Sequence, residues 1–323
     1  MELPRRRFLA LAAGSAALPI ASRRVRAQSY PAKPVRVIVG FPAGNSPDMI
    51  TRLTSQFLSE RLGQQFVVEN RPGAGSSIAT EAALNAPADG YTLLGIVMSN
   101  TINASLYPNL KYDFGRDLAP VASIADAPFV AVVTNDVPAK TLPEFIDYAR
   151  ANPGKIMMAS GGTGTSTHVI GEMFKMMAKV DLVHVPYRGN YMPDLISGQV
   201  QVSFAPIPQS IEFVRTGKLR ALAVSTPKRI VSLPDVPTIG EFLPGFAADG
   251  WYGLGAPKNT PPEIVDRLNQ AVNGALADAK FKAQLAGLGV DPLPMTPAEF
   301  GKFIAADIDK WAKVVKFAGI KAE

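Results

Sequence analysis

From Pro34 onward, short runs of apolar and β-branched residues alternate with stretches whose apolar positions recur every three or four residues. Val35-Arg36-Val37-Ile38-Val39, set between Pro34 and Gly40, predicts a strand. Ile50, Leu53, Phe57 and Leu58 then fall on one face of a helix, with Ser46 as its expected N-cap, Pro47 at its first position and Gly63 stopping it after Leu62. Phe66-Val67-Val68 predicts a second strand, and residues 91–97 a third, ending at Ser99-Asn100-Thr101. Strand and helix in repetition argue for an α/β protein with a mostly parallel sheet covered by helices. Ligands of such sheets sit beyond the carboxyl ends of the strands. Loops 40–46, 72–77 and 98–101 should therefore share one edge.

A second set of strands is expected at residues 129–133, 156–159, 182–185, 200–204 and 219–224. After a proline-rich link over residues 227–244, Trp251-Tyr252-Gly253-Leu254 reads as a strand returning to the first sheet. Three T-x-x-E boxes, Thr141/Glu144, Thr260/Glu263 and Thr296/Glu299, mark helix starts. The last helix puts Phe300, Ile304, Ile308, Trp311 and Val315 on one face, a stripe read as core packing. The expected division is 28–126 with 250–323 as one domain and 127–249 as the other.

The stretch Met158-Ala159-Ser160-Gly161-Gly162-Thr163-Gly164-Thr165-Ser166-Thr167-His168 joins a buried strand to a helix starting near Ser166. Glycines permit a tight turn and close backbone approach, and the helix N–H groups point into it. Such a junction can cradle a carboxylate or phosphate. A strand–helix connection that merely needs glycine is the plainer reading, and a loop of similar build at residues 40–46 favours the functional one.

Composition changes the picture mainly at the N-terminus. The 323-residue chain carries 47% hydrophobic and 19% charged residues, an ordinary globular balance, with room for about two domains. Its net charge of +6 resides mostly in residues 1–27, which hold six arginines and one acid, leaving 27 basic against 26 acidic residues in the rest. Nucleic-acid binding thereby loses its support. The leader reads as an export signal (residues 1–27): a charged start, an apolar middle over residues 8–20, and a Val25-Arg26-Ala27 site before Gln28. Arg5-Arg6-Arg7-Phe8-Leu9 fits a twin-arginine pattern. A retained N-terminal anchor is the alternative. With no cysteine, thiol chemistry and thiolate metal sites are excluded.

His168 and His184 are the only histidines, and no H-x-x-H or H-E-x-x-H spacing occurs, so no metal site is expected. His184 is read as a hydrogen-bonded interior residue, and His168 either faces a cleft or caps neighbouring backbone. No G-x-S-x-G elbow, P-loop ending or complete dinucleotide fingerprint is present, which leaves catalysis without a motif and no cofactor expected.

With these loops in view, the chain resembles the extracytoplasmic solute receptors of tripartite tricarboxylate transporters, the Bug family. The resemblance spans residues 30–323. It is carried by Tyr30-Pro31-Ala32-Lys33-Pro34, Phe41-Pro42 through Asp48, Glu69-Asn70-Arg71-Pro72-Gly73-Ala74-Gly75, Asp89-Gly90-Tyr91-Thr92-Leu93, His184-Val185-Pro186-Tyr187-Arg188-Gly189 and Leu233-Pro234-Asp235-Val236-Pro237-Thr238. It implies a two-domain periplasmic-binding-protein (type II-like) fold with a hinge and an interdomain cleft, no catalysis and no cofactor. It also implies capture of a small organic carboxylate and delivery to membrane permease subunits; a monomer is expected. Carried over by position, the solute meets Phe41, Ala43, Gly44, Asn45 and Ser46 on one side and Gly162, Thr163, Gly164, Thr165 and His168 on the other. Ser99, Asn100, Thr101, Tyr187 and Arg188 complete the walls. Asp48 reads as a first-turn helix acid, and Arg188 either pairs with a second carboxylate or is a solvated surface charge. Relatives often have Pro-Gly-Gly where this chain has Ala43-Gly44-Asn45, and an acid where Ala205 follows Phe204. The segment from Tyr187 to Asp194 is also about two residues shorter than the family pattern. A periplasmic sensor subunit signalling to a membrane kinase is the alternative function, and a hydrolase using His168 with Asp48 a weaker one.

Overall fold

The computed structural model describes residues 30–321. The leader, its twin-arginine pattern and its cleavage site lie outside the described residues. The first half runs β1 (Val35–Val39), α1 (Ser46–Leu62), β2 (Phe66–Asn70), α2 (Ser77–Leu84), β3 (Thr92–Val97), α3 (Met98–Leu106), α4 (Phe114–Asp117) and β4 (Leu118–Ala127). The chain then crosses at Pro128 into β5 (Phe129–Thr134), α5 (Leu142–Ala151), β6 (Ile156–Ser160), α6 (Ser166–Ala178), β7 (Leu182–Pro186), α7 (Met192–Ile196), β8 (Val202–Pro206), α8 (Ile207–Arg215) and β9 (Leu219–Val224). It returns through β10 (Gly250–Pro257), α9 (Pro262–Ala277), α10 (Ala279–Gly287) and α11 (Pro297–Ala318).

Two five-stranded sheets result, in the orders β2-β1-β3-β10-β4 and β7-β6-β8-β5-β9. Within each, the strands joined by helices are parallel: β1 with β2 and β3, and β6 with β7 and β8. As expected, four strands of each sheet run the same way; one strand in each runs against them, β10 antiparallel to β3 and β4, and β5 antiparallel to β8 and β9. The cause is topological. β5 and β10 are the strands that follow each crossing, so each enters its sheet from the opposite end. Strand β4 is absent from the sequence reading: its run Leu118-Ala119-Pro120-Val121-Ala122 is alanine-rich and holds a proline, both weak strand signals. β8 is displaced to 202–206 from the expected 200–204.

Ser225 stitches the two crossings together. Its N–H donates to Phe129 O at 2.8 Å, its Oγ accepts from Phe129 N at 3.2 Å and donates to Ala248 O at 2.6 Å, and its own O accepts from Ala248 N at 2.9 Å. Apolar packing fills both faces of each sheet. Val37, Ile50 and Leu268 belong to a cluster under α1 and α9, and Val130, Leu195 and Ile211 to one under α7 and α8. A third cluster continues between the two halves, where Ile102 and Leu106 of α3, Val169 and Met173 of α6, and Trp311 and Val315 of α11 join. This seam ties the halves along one side. The buried stripe of α11 was legible from its spacing, since Phe300, Ile304 and Trp311 are at most 2% exposed.

Two expected caps are not made. Asn45, not Ser46, is the N-cap of α1, and Ser46 is its first helical residue. Thr260 is no cap either: Pro261 takes that position, and Thr260 Oγ1 donates to Pro257 O at 2.7 Å. Thr141 and Thr296 cap as expected.

Candidate functional site

Four strand-to-helix junctions face one another across the space between the sheets. β1 reaches α1 through loop 40–45 and β6 reaches α6 through loop 161–165, whereas β3 and β8 run straight into α3 and α8. The four helix starts line one chamber: Asn45 and Pro47 from α1, Met98 and Ser99 from α3, Ser166 and Thr167 from α6, and Gln209 from α8. None of these helices has its N-cap side chain accepting from a backbone N–H of its first turn. Of the other helices, α4, α5, α10 and α11 are capped by Asp113, Thr141, Asp278 and Thr296, whereas α2, α7 and α9 have no side-chain cap. The positive dipole ends of four helices thus converge on one small volume, although Pro47 and Pro208 have no N–H to offer, Ile207 N donates to Pro128 O and Ser166 N to Ser99 Oγ.

Asp48 fixes the first loop. Buried on the first turn of α1, it accepts from Gly44 N at 2.9 Å, Arg52 Nε at 2.9 Å and Asn70 Nδ2 at 2.8 Å. Burial alone would raise its pKa, but the bonds from Arg52, Gly44 and Asn70 outweigh burial and hold it below the usual carboxylate range. Asn70 Nδ2 also donates to Phe41 O at 2.9 Å, so one acid and one amide fix the whole turn. The expectation that Asp48 serves the helix fits this arrangement.

The glycine loop is knotted by its own hydroxyls. Thr165 Oγ1 donates to Gly162 O at 2.6 Å, and Gly161 N donates to Thr167 Oγ1 at 3.0 Å. Gly164 needs its missing side chain: at φ +79° a Cβ there would lie 2.8 Å from Leu106 Cδ2 of α3. Across the gap Ser166 N donates to Ser99 Oγ at 3.0 Å, and the two hydroxyls are 3.0 Å apart. His168 turns back on the loop, where its Nδ1 accepts from Gly164 N at 3.2 Å. That favours its capping role. Burial lowers the His168 pKa to about 4, helped by Lys175, so the ring is neutral. It stacks on His184 at 3.9 Å between centroids, and Ser160 Oγ lies 2.6 Å from His184 Nε2.

Aromatic side chains form the rest of the chamber wall: Phe41, Phe129, Tyr191, Trp251 and Tyr252. Trp251 is held from behind, its Nε1 donating at 2.9 Å to the buried Asp307, which also accepts from Trp311 Nε1 at 3.0 Å and Thr101 Oγ1 at 2.7 Å. No Asp, Glu, Lys, Arg or His is among the described residues lining this chamber. Asn45 Oδ1 is buried there without a hydrogen-bond partner, and the buried Tyr191 Oη has only the Ser203 hydroxyl beside it. The space open to the centre of a water-sized sphere is about 50 Å³, enough for about four waters. A wider outer chamber of about 680 Å³ adjoins it, sharing Phe41, Gly161 and Thr165.

The structure divides the residues expected at the site. Phe41, Asn45, Ser99 and Thr165 line the inner chamber; Gly162, Thr163, Tyr187 and Arg188 line the outer one, with Arg188 exposed. Ala43 and Gly44 are exposed and line neither, Ser46 is buried with its Oγ unpartnered, and Gly164 packs on α3. Segment 98–101 is the first turn of α3, not a loop. Its Asn100 bonds Val97 N and Thr80, and Thr101 bonds Asp307, so both face inward to the fold. Phe129, Tyr191, Gln209, Trp251 and Tyr252 were missed. They come from strand ends and helix starts brought together only by the two crossings, and Trp251 alone carried a signal, as a large aromatic on a returning strand.

Two α/β halves enclosing a chamber lined by helix N-termini define a solute-binding receptor of the two-domain periplasmic type. The family model described as tripartite tricarboxylate transporter family receptor (TctC) matches residues 50–320, and the chain belongs to that family. It is 36% identical to Protein BugT of Bordetella pertussis over 302 residues, which is 92% of this chain and 93% of that protein. The solved structure of periplasmic binding protein BugD matches with a TM-score of 0.87 at 32% identity, over 91% of this chain and 100% of that one. That of Rpa4515 from R. palustris with adipate gives 0.87 at 35% identity, covering 90% and 99%. MatC from Rhodopseudomonas palustris with bound malate gives 0.84 at 31% identity, covering 88% and 100%. Among the described residues no helix is long and apolar enough to cross a membrane.

Proposed function

We propose that this receptor captures a small organic carboxylate in the inner chamber and hands it, unreacted, to the membrane permease subunits of a tripartite tricarboxylate-type transporter. The convergence of the starts of α1, α3, α6 and α8 carries this reading. A helix start contributes up to about 2 kcal/mol to an anion in partly buried geometry, so four offset most of the several kcal/mol that desolvating a carboxylate costs. Relatives named with adipate and malate support the same chemistry. The hydrolase alternative lacks support, because His168 bonds Gly164, Asp48 bonds Gly44, Arg52 and Asn70, and neither partners the other.

Residues 28–126 with 250–323 form one lobe in this reading and 127–249 the other, hinged at the crossings that Ser225 joins. The leader exports the protein to the periplasm, where it acts as a monomer. The test is thermal unfolding of the purified protein against a panel of organic acids, amides and amines. Binding at a hundredfold excess over Kd stabilises by about 2.7 kcal/mol and raises Tm accordingly. A shift with a carboxylate, lost in Asn45→Ala or Thr165→Ala, is expected. A shift only with neutral or cationic compounds overturns the carboxylate assignment.

A further inference from the structure

Resting on that reading, we infer that the solute is a compact aromatic monocarboxylate carrying a neutral polar substituent, rather than a flexible dicarboxylate. Size sets the first bound. Four waters at about 30 Å³ each correspond to about 120 Å³ of molecular volume, the scale of a single-ring acid or a short chain.

Charge sets the second. The helix starts can hold one carboxylate, but a second one in the same chamber would meet no cation among the described lining residues. An unpaired buried carboxylate costs several kcal/mol. A dicarboxylate would have to extend its far end into the outer chamber, where Arg188 stands exposed to water and contributes little.

The walls set the third. Phe41, Phe129, Tyr191, Trp251 and Tyr252 surround the space, and flat rings pack on aromatic walls with about 0.5–1.5 kcal/mol per pair beyond area burial. Trp251 is locked by Asp307 and Tyr252 is at most 4% exposed, so these faces stand ready before the ligand arrives.

The last observation, which names the substituent, is Asn45, which lines the chamber, is 6% exposed and has its Oδ1 without a hydrogen-bond partner; Tyr191, 2% exposed, lines the same wall with its Oη beside the Ser203 hydroxyl. A buried polar atom without a partner costs about 1–3 kcal/mol, recovered when a ligand hydroxyl or carbonyl meets it. Both groups are neutral, which suits a neutral substituent.

The experiment is isothermal titration of the full protein with benzoate, 3- and 4-hydroxybenzoate, cyclohexanecarboxylate, malate and adipate. A hydroxybenzoate should bind about tenfold or more tightly than benzoate, and benzoate more tightly than cyclohexanecarboxylate. Tyr191→Phe and Asn45→Ala should each reduce the advantage of the hydroxybenzoate over benzoate; a ratio unchanged in both variants overturns the substituent part. Malate or adipate binding more tightly than every aromatic acid overturns this inference and leaves the carboxylate receptor standing. Equal affinity for benzoate and cyclohexanecarboxylate overturns the aromatic part. Binding of none of the acids sinks the proposed function itself.

Discussion

Both tryptophans of the chain hydrogen-bond the same carboxylate, which makes Asp307 a sensitive point to perturb. Asp307→Ala leaves two buried indole N–H groups without acceptors. Thr101 is spared, because its hydroxyl keeps Met98 O at 2.7 Å as an alternative. Each orphaned donor costs about 1–3 kcal/mol, giving about 2–6 kcal/mol in total. Part of that is returned, since burial raises the Asp307 pKa above the ordinary value despite the bonds from Thr101, Trp251 and Trp311, so the charged form is held at a cost. A net loss of about 2–4 kcal/mol is expected, a large share of the ~5–15 kcal/mol available to a domain. Asp307→Asn keeps one acceptor oxygen and presents an NH2 to the other indole, for about 1–2 kcal/mol. Urea unfolding at pH 7.5 followed by tryptophan emission measures both, with the native emission itself shifting as the indoles lose their partner. A loss under about 1 kcal/mol for Asp307→Ala with unchanged native emission would refute the account.

Asp48→Asn should cost about 1–3 kcal/mol, because the charge-assisted bond to Arg52 and the fixed turn at Gly44 are weakened together; denaturant unfolding that matches wild type contradicts it. His168 is held neutral with a pKa near 4, against an ordinary 6.5, so the unfolded chain binds the extra proton between those values. Stability from this group is present above pH 6.5 and lost as pH falls toward 4, by at most about 3 kcal/mol. His168→Asn, whose Oδ1 can still accept from Gly164 N, should flatten that slope, and an unchanged slope argues against it. Asp126 behaves oppositely: burial raises its pKa to about 6, with Asp291 and Asp249 adding repulsion, so it destabilises progressively as pH rises from about 4 through 6. Asp126→Asn should therefore raise stability by about 1–3 kcal/mol at pH 8 and not at pH 4; equal effects at both pH values count against the cause.

The strand–loop–helix units were readable because each is local. Val35–Val39, the stripe of α1 and the stop at Gly63 (φ +72°) all follow from residues within one turn or strand. Strand β4 was not, since alanine and proline say little about pairing, and its place against β10 depends on a segment more than 120 residues away in sequence. The same distinction separates the site residues. Asn45 and Thr165 lie on glycine-bearing junctions that announce themselves. Phe129, Tyr191 and Trp251 line one chamber only because the chain crosses twice between sheets, and nothing in the neighbourhoods of Phe129 and Tyr191 marks them. Asn100 and Thr101 were drawn in by adjacency to Ser99, but on a helix successive side chains diverge by about 100°, so one faces the chamber while the others face Thr80 and Asp307.

The two halves repeat one plan, with β1 and α1 answering β6 and α6, and β3 and α3 answering β8 and α8. Facing copies of such a unit place helix starts on both sides of the chamber, where the proposed carboxylate would meet both. Direct bonds between the halves at the chambers include Ser166 N and Oγ to Ser99 Oγ and Tyr107 Oη to Thr163 O, worth about 1 kcal/mol each. On opening, water can replace them, while the apolar seam of α3, α6 and α11 keeps the halves together. A carboxylate that meets two helix starts from each half adds several kcal/mol to the closed form only, and a differential of about 5.5 kcal/mol is what turns a 1:99 equilibrium into 99:1. In the proposed function, the placement of helix starts on both sides of the gap, rather than all on one, is what would convert anion binding into closure.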